Sequence, residues 1–386
     1  KDGIRVAALY TVEADTEYAV ILVTPSGSRP GTTAITAADL NTKVEAFRQA
    51  LTDPRLDPRP LGQELYKILV GPIEKDLNDY APQVLMWSLD GQIRYLPVAA
   101  LHDGKQYLVE RWQNTLFDPA SLSDLDQART DWGKAQALGL GVSQEHHVKT
   151  ATQDDSFSAL AFVPEELRGI IRDPAQAGAS GVLAGQVRLD AGFTRQATFD
   201  ALRAHTHPVV HIATHFRFDP ARAEQSYLLL GDGGQISLAD LRRPGLFAGV
   251  DLLTLSACST AMGQASADGK EVDSLGRTAE DDGAQAVIAS LWSVSDASTA
   301  LLMQTLYRDL QSSPSQTKAA ALQSAQLALL RGTASPTLAP GKDNRAGRAV
   351  EDEGDAANLP RFTPDPKAPY AHPYYWAPFV LIGNWR

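Results

Sequence analysis

Alternating apolar and polar positions open the chain. Residues 5–10 and 17–24 each read as a strand, joined by a short acidic turn, and the Ser, Gly and Pro residues of 25–30 then break the alternation. Apolar residues next recur at helical spacing over 37–51 and 61–70, where Leu65, Ile68 and Leu69 share a face. Two more apolar runs, 83–89 and 92–96, flank Asp90-Gly91, a dipeptide that predicts a hairpin. From about residue 134 the pattern changes. Short continuous apolar runs at 137–142, 181–185, 209–213, 251–257, 286–291 and 377–383 alternate with amphipathic stretches at 164–172, 195–204, 238–243, 272–281, 298–310 and 318–330. Such alternation predicts a largely parallel sheet with helices on both faces. The chain therefore divides into a smaller α/β half, residues 1–133, and a larger α/β half, residues 134–386. Residues 332–369 are rich in Pro, Gly and Ala and lack periodicity, which predicts a mobile surface loop inside the second half.

Composition narrows the class. A hydrophobic fraction of 44% with 21% charged residues is that of a soluble globular protein, and the start resembles a strand rather than a secretory signal. No run approaches the roughly 18 apolar residues of a membrane span. The net charge of −11 argues against a general nucleic-acid binder and against anionic membranes. A single cysteine cannot form an intrachain disulfide, which fits a reducing, cytoplasmic setting and leaves the thiol free. Residue 1 is lysine, so the chain is expected to have been cut from something longer or processed.

That cysteine, Cys258, closes the apolar run Asp251-Leu-Leu-Thr-Leu-Ser-Ala-Cys258, and His215 ends the run Pro208-Val-Val-His-Ile-Ala-Thr-His215, 43 residues earlier. Open α/β sheets place their chemistry at strand ends, and a thiol beside an imidazole makes a nucleophile and its base. Small polar residues follow Cys258, as expected where a sheet edge opens into a cleft. Taken alone, the cysteine also reads as a small buried hydrophobe. Four histidines, His205, His207, His211 and His215, fall within eleven residues at spacings seen in zinc sites. Pro208 separates the first pair from the strand and no His-Glu-x-x-His pattern follows, so no metal and no other cofactor is expected. His211, mid-run among Val210, Ile212 and Ala213, reads as a neutral core histidine with a satisfied hydrogen bond.

The segments His211-Ile-Ala-Thr-His215, Ser226-Tyr-Leu-Leu-Leu-Gly231, Leu253-Thr-Leu-Ser-Ala-Cys-Ser-Thr260, Gly283-Ala-Gln-Ala-Val-Ile-Ala-Ser-Leu-Trp292 and the C-terminal Tyr374–Arg386 together resemble the CHAT domain, a caspase-like module related to separases and usually found after tetratricopeptide (TPR) repeats in bacterial proteins. The resemblance implies a caspase-like catalytic half preceded by a catalytically empty pseudo-caspase half. It implies that His215 is the general base, that Cys258 is the nucleophile of an endopeptidase, and that the backbone amides of Phe216 and Cys258 hold the oxyanion. Phe216 replaces the glycine common after the histidine and is expected to narrow the cleft; Ser259 replaces an acidic residue found in many relatives. The segment after the 286–291 strand is expected to wall the substrate groove with Trp292, Ser293 and Asp296. Asp296 reads either as a specificity acid favouring Arg or Lys before the cut or as a helix cap, and Asp268 is a weaker acidic candidate. The implied partners are a protein substrate and an upstream TPR region or regulatory protein. A non-proteolytic scaffold and a histidine-bound metallohydrolase are the competing readings.

Overall fold

The computed structural model describes the chain apart from residues 1–2, 119–128, 150–153, 177, 179, 218–224, 257–277, 293, 295, 314 and 335–358. The first half supplies strands β1 (Val6–Glu13), β2 (Glu17–Thr24), β3 (Gly27–Ala34), β4 (Val84–Ser88) and β5 (Gln113–Leu116), with helices α1 (Ala37–Thr52), α2 (Arg59–Leu69) and α3 (Glu74–Tyr80). The second half supplies β6 (Gln136–Gly141), β7 (His146–Lys149), β8 (Asp154–Phe157), β9 (Ile171–Arg172), β10 (Leu183–Leu189), β11 (Val209–Ala213), β12 (Phe216–Arg217), β13 (Tyr227–Leu229), β14 (Gln235–Ser237), β15 (Leu252–Ser256), β16 (Ala286–Ser290) and β17 (Phe379–Gly383). Its helices are α4 (Val163–Ile170), α5 (Arg195–Arg203), α6 (Leu238–Leu241), α7 (Asp296–Ser312) and α8 (Lys318–Leu330).

Among the described residues the central sheet has twelve strands in the order β3-β2-β1-β4-β5-β17-β16-β15-β11-β6-β10-β9. It is mostly parallel, as the apolar runs predict, and it continues without a break across the boundary near residue 134. The C-terminal strand β17 makes the join, antiparallel to β16 on one side and parallel to β5 on the other. Alternation along the strands serves two faces. Val210, Ile212, Leu253 and Leu255 enter the core under α5 and α6, whereas Val209, Leu252 and Ile288 enter the core under α7 and α8.

Glycine sets how closely one helix can approach. A Cβ on Gly139 would lie 2.7 Å from Ile171 Cδ1, and one on Gly141 2.7 Å from both Leu167 Cδ1 and Val163 Cγ1, so β6 presents bare backbone to α4. The apolar stripe of α4, Val163, Leu167 and Ile170, fills that space.

Two expectations change. The Asp90-Gly91 hairpin does not form: β4 is flanked by parallel β1 and β5, so neither edge is open to a returning strand. Gly91 instead turns at φ +56° and residues 91–95 wind into a 3-10 helix. The polar segment after residue 24 is not a break but strand β3, paired with β2 along its length, and its Pro30 is tolerated because β3 is the sheet edge. The loop expected over 332–369 is packed at both described ends. A Cβ on Gly332 would lie 2.1 Å from Lys367 O, and Phe362 N–H and Asp57 N–H donate to Arg55 O and Pro360 O, pinning this strap to the first half. The middle of the expected loop lies outside the described residues.

Candidate active site

Strands β6, β10, β11, β15 and β16 run parallel, so their C-terminal ends share one edge of the sheet. His215 follows β11 at that edge. Its Nε2 hydrogen-bonds the Ser158 carbonyl at 2.9 Å, and its ring lies 5.2 Å, centroid to centroid, from Phe157. A carbonyl accepts, so Nε2 carries the proton in this bond. Ser158 is a site residue that the sequence did not single out. Its contribution is a backbone carbonyl, which leaves no trace in residue type.

The hairpin of β7 and β8 holds that carbonyl in place. Phe157 packs edge-on to Tyr227, whose hydroxyl donates to Asp155 Oδ2 at 2.9 Å, while Arg217 Nε reaches Asp155 Oδ1 at 3.4 Å. Burial and the Asp155 carboxylate together push the Tyr227 phenol above its ordinary range, so it remains a donor. The small sheet β12-β13-β14 carries both Arg217 and Tyr227.

Phe216 departs from its expected place in one respect. Its ring is buried in the core with Leu228 and Ile236, so it does not narrow a cleft. Leu229 N–H donates to His215 O and Phe216 stands opposite Leu228, which makes that rung a non-hydrogen-bonded one and turns the Phe216 N–H away from β13.

Cys258, Asp268 and Ser293 lie outside the described residues, as does the side chain of Asp296, whose backbone opens α7. Strand β15 is described to Ser256, and its last rung with β11 pairs Ala213 with Ser256. Trp292 is corrected: it is 3% exposed, belongs to the main core and donates its indole N–H to Tyr374 O, so it offers no face to a bound peptide.

The other histidines do not converge on His215. His205 Nδ1 bonds Ala248 O at 2.8 Å, and His207 Nδ1 meets Thr206 Oγ1. Among the described residues no three His, Cys, Asp or Glu side chains are grouped to hold a metal. His211 is fully buried and both ring nitrogens are engaged, as expected of a core histidine, but the partner is a carboxylate: Nε2 bonds Glu166 Oε1 at 2.8 Å and Nδ1 meets Tyr307 OH at 3.3 Å. The spacing Val163, Glu166, Leu167, Ile170 puts Glu166 on the apolar face of its helix, a signal present in the sequence.

The sequence matches the CHAT domain family over residues 59–384. Comparison with curated proteins finds no match. Among solved structures, the separase of the Saccharomyces cerevisiae separase–securin complex superposes with a TM-score of 0.50 at 8% identity, over 84% of this chain and 29% of that one. The chain thus spans less than a third of that separase. The arginine-specific cysteine proteinase gingipain R is similar with a TM-score of 0.44 at 12% identity, over 100% of this chain and 78% of the other. Among the described residues, no helix is long and apolar enough to cross a membrane.

Proposed function

The chain belongs to the CHAT domain family, and from that premise we propose that it is a cysteine endopeptidase acting on a specific protein substrate through His215 and Cys258. The observation that carries the reading is the placement of His215 just past β11, beside the strand that leads to Cys258. Its Nε2 is held by the Ser158 carbonyl while it follows the strand adjacent to the one that runs toward Cys258, and each of the two residues lies two positions past the rung of Ala213 and Ser256. Neighbouring parallel strands lie about 4.8 Å apart, a separation that suits a thiol and its base.

In this reading His215 Nδ1 takes the thiol proton and the Cys258 thiolate adds to the scissile carbonyl carbon. The Phe216 and Cys258 amides hold the resulting oxyanion. Collapse breaks the C–N bond as His215 returns its proton to the leaving amine, and water then hydrolyses the thioester. The groove is assigned to the segment 293–296, and a carboxylate at Asp296 or, more weakly, at Asp268 favours Arg or Lys before the cut. A regulatory protein or an upstream TPR region governs activity, since an unrestrained endopeptidase would damage its own cell.

The test is a fluorogenic peptide library incubated with the protein, alone and with host lysate. Cys258→Ala and His215→Ala are expected to lose cleavage by at least about a thousandfold with little change in melting temperature, because nucleophile and base fail as a unit. Cleavage by Cys258→Ala at the wild-type rate would refute the peptidase. Binding without cleavage in every condition would favour the scaffold.

A further inference from the structure

Four buried polar side chains on four different elements form one hydrogen-bonded chain beneath the candidate site. Glu166 Oε1 on α4 accepts from His211 Nε2 on β11 at 2.8 Å, His211 Nδ1 meets Tyr307 OH on α7 at 3.3 Å, and Tyr307 OH meets Thr254 Oγ1 on β15 at 2.7 Å. None is more than 2% exposed. Each of these elements is joined in sequence to a different part of the site. Helix α4 follows the turn that carries the Ser158 carbonyl, β11 leads into His215, β15 runs toward Cys258, and α7 starts where the groove segment ends. We infer that Glu166, His211, Tyr307 and Thr254 are positioning residues for the proposed peptidase, fixing the four pieces of its site in register with one another.

Stability alone does not account for such a chain. Apolar side chains of similar shape fill a core about as well as a buried polar set, and a carboxylate taken out of water carries a desolvation cost that its partners must offset. What the polar set adds is direction. Apolar contacts tolerate sliding of a helix over a sheet, whereas hydrogen bonds of 2.7–2.8 Å restrict it. With His211 neutral the donors and acceptors match along the chain. With Nε2–H given to Glu166, Nδ1 accepts from Tyr307 and Tyr307 accepts from Thr254; burial pushes the Tyr307 phenol well above its ordinary value, so it keeps its proton.

The surroundings are built to let the chain form. Gly139 faces His211 across the β6–β11 rungs and clears the space under α4, and Gln304 on α7 donates to Glu165 O at 3.2 Å, clamping α7 to α4 above the bare backbone of Gly169.

The inference rests on the peptidase reading, and the experiment separates the two. Full-length Tyr307→Phe, Thr254→Val, Thr254→Ser and Glu166→Gln are compared with Cys258→Ala on the best peptide of the library. Tyr307→Phe and Thr254→Val are expected to lower kcat by at least about tenfold with KM within about threefold. Thr254→Ser, which keeps the hydroxyl, restores it. Alkylation of Cys258 by iodoacetamide supplies a readout that folding alone does not move: at pH 6 an isolated thiol is almost wholly protonated, so rapid reaction reports a thiolate aligned with imidazolium. Tyr307→Phe is expected to slow alkylation at pH 6 by about the same factor as kcat while leaving the rate at pH 9 near wild type. Wild-type kcat and wild-type alkylation at pH 6 in Tyr307→Phe and Glu166→Gln, with only the melting temperature lowered, would overturn the positioning role and leave the peptidase intact. An unaltered kcat in Cys258→Ala would instead remove the reading beneath it.

Discussion

His372 illustrates at the scale of one side chain how burial writes a pH dependence into stability. Its Nε2 donates to Leu56 O at 2.8 Å and its Nδ1 accepts from Tyr374 N–H at 3.0 Å, so the neutral tautomer satisfies both partners and a second ring proton has no place to go. Burial therefore lowers the imidazole from 6.5 to about 4. The unfolded chain binds a proton below the upper value that the folded chain refuses until the lower one. The contribution to stability is thus complete above pH 6.5 and is lost as pH falls, by up to about 3 kcal/mol near pH 4. His372→Gln keeps a donor and an acceptor without the titration. Urea unfolding across this range should show wild type losing stability relative to the variant as pH drops; a constant difference would mean that His372 is not held neutral.

Long apolar periodicity marks an element in this sequence, and a polar strand leaves no such mark. Helices α1, α2, α7 and α8 lie within a few residues of their predicted spans, because their apolar faces repeat over several turns. Strands β3, β7, β8 and β12 carry no apolar run, and pairing with neighbours, not side-chain pattern, makes them strands. The contact between α4 and β6 offers a test at this scale. In Gly141→Ala the new methyl would sit 2.7 Å from Leu167 Cδ1 and Val163 Cγ1, so α4 must shift outward. Overpacking of this kind costs about 1–3 kcal/mol. Chemical denaturation should show that loss, with peptide cleavage reduced beyond what the residual folded fraction explains, since α4 also carries Glu166 and follows Ser158. Wild-type stability in Gly141→Ala would show that the helix has slack.

Among the described residues the twelve-stranded sheet runs through both halves of the chain, and β17 is the strand that joins them. Phe379, Leu381 and Trp376 are buried in the main core, Thr115 Oγ1 donates to Leu381 O at 3.2 Å, and Gln326 on α8 donates to both Trp376 O and Phe379 O. Separate unfolding of the two halves would have to expose this seam. Scanning calorimetry is therefore expected to give a single transition, and Phe379→Ala, costing about 3–5 kcal/mol, to lower that transition without splitting it. Two resolved transitions in wild type would show the halves to be independent despite the shared sheet.

By itself the sequence determined the sheet-and-helix rhythm of the second half, the end of β11 as the place of His215, and a family resemblance that the match over residues 59–384 bears out. These follow from local spacing and residue type, which a chain carries without being folded. Tertiary structure decided what depends on pairing and proximity across distant residues. It replaced the Asp90-Gly91 hairpin with a 3-10 turn because both edges of β4 were taken, and it drew Trp292 into the core. It also supplied Ser158 through a backbone carbonyl and joined Glu166 to His211 across 45 residues. No local pattern encodes such contacts, since a hydrogen bond between elements exists only once the sheet has brought them together.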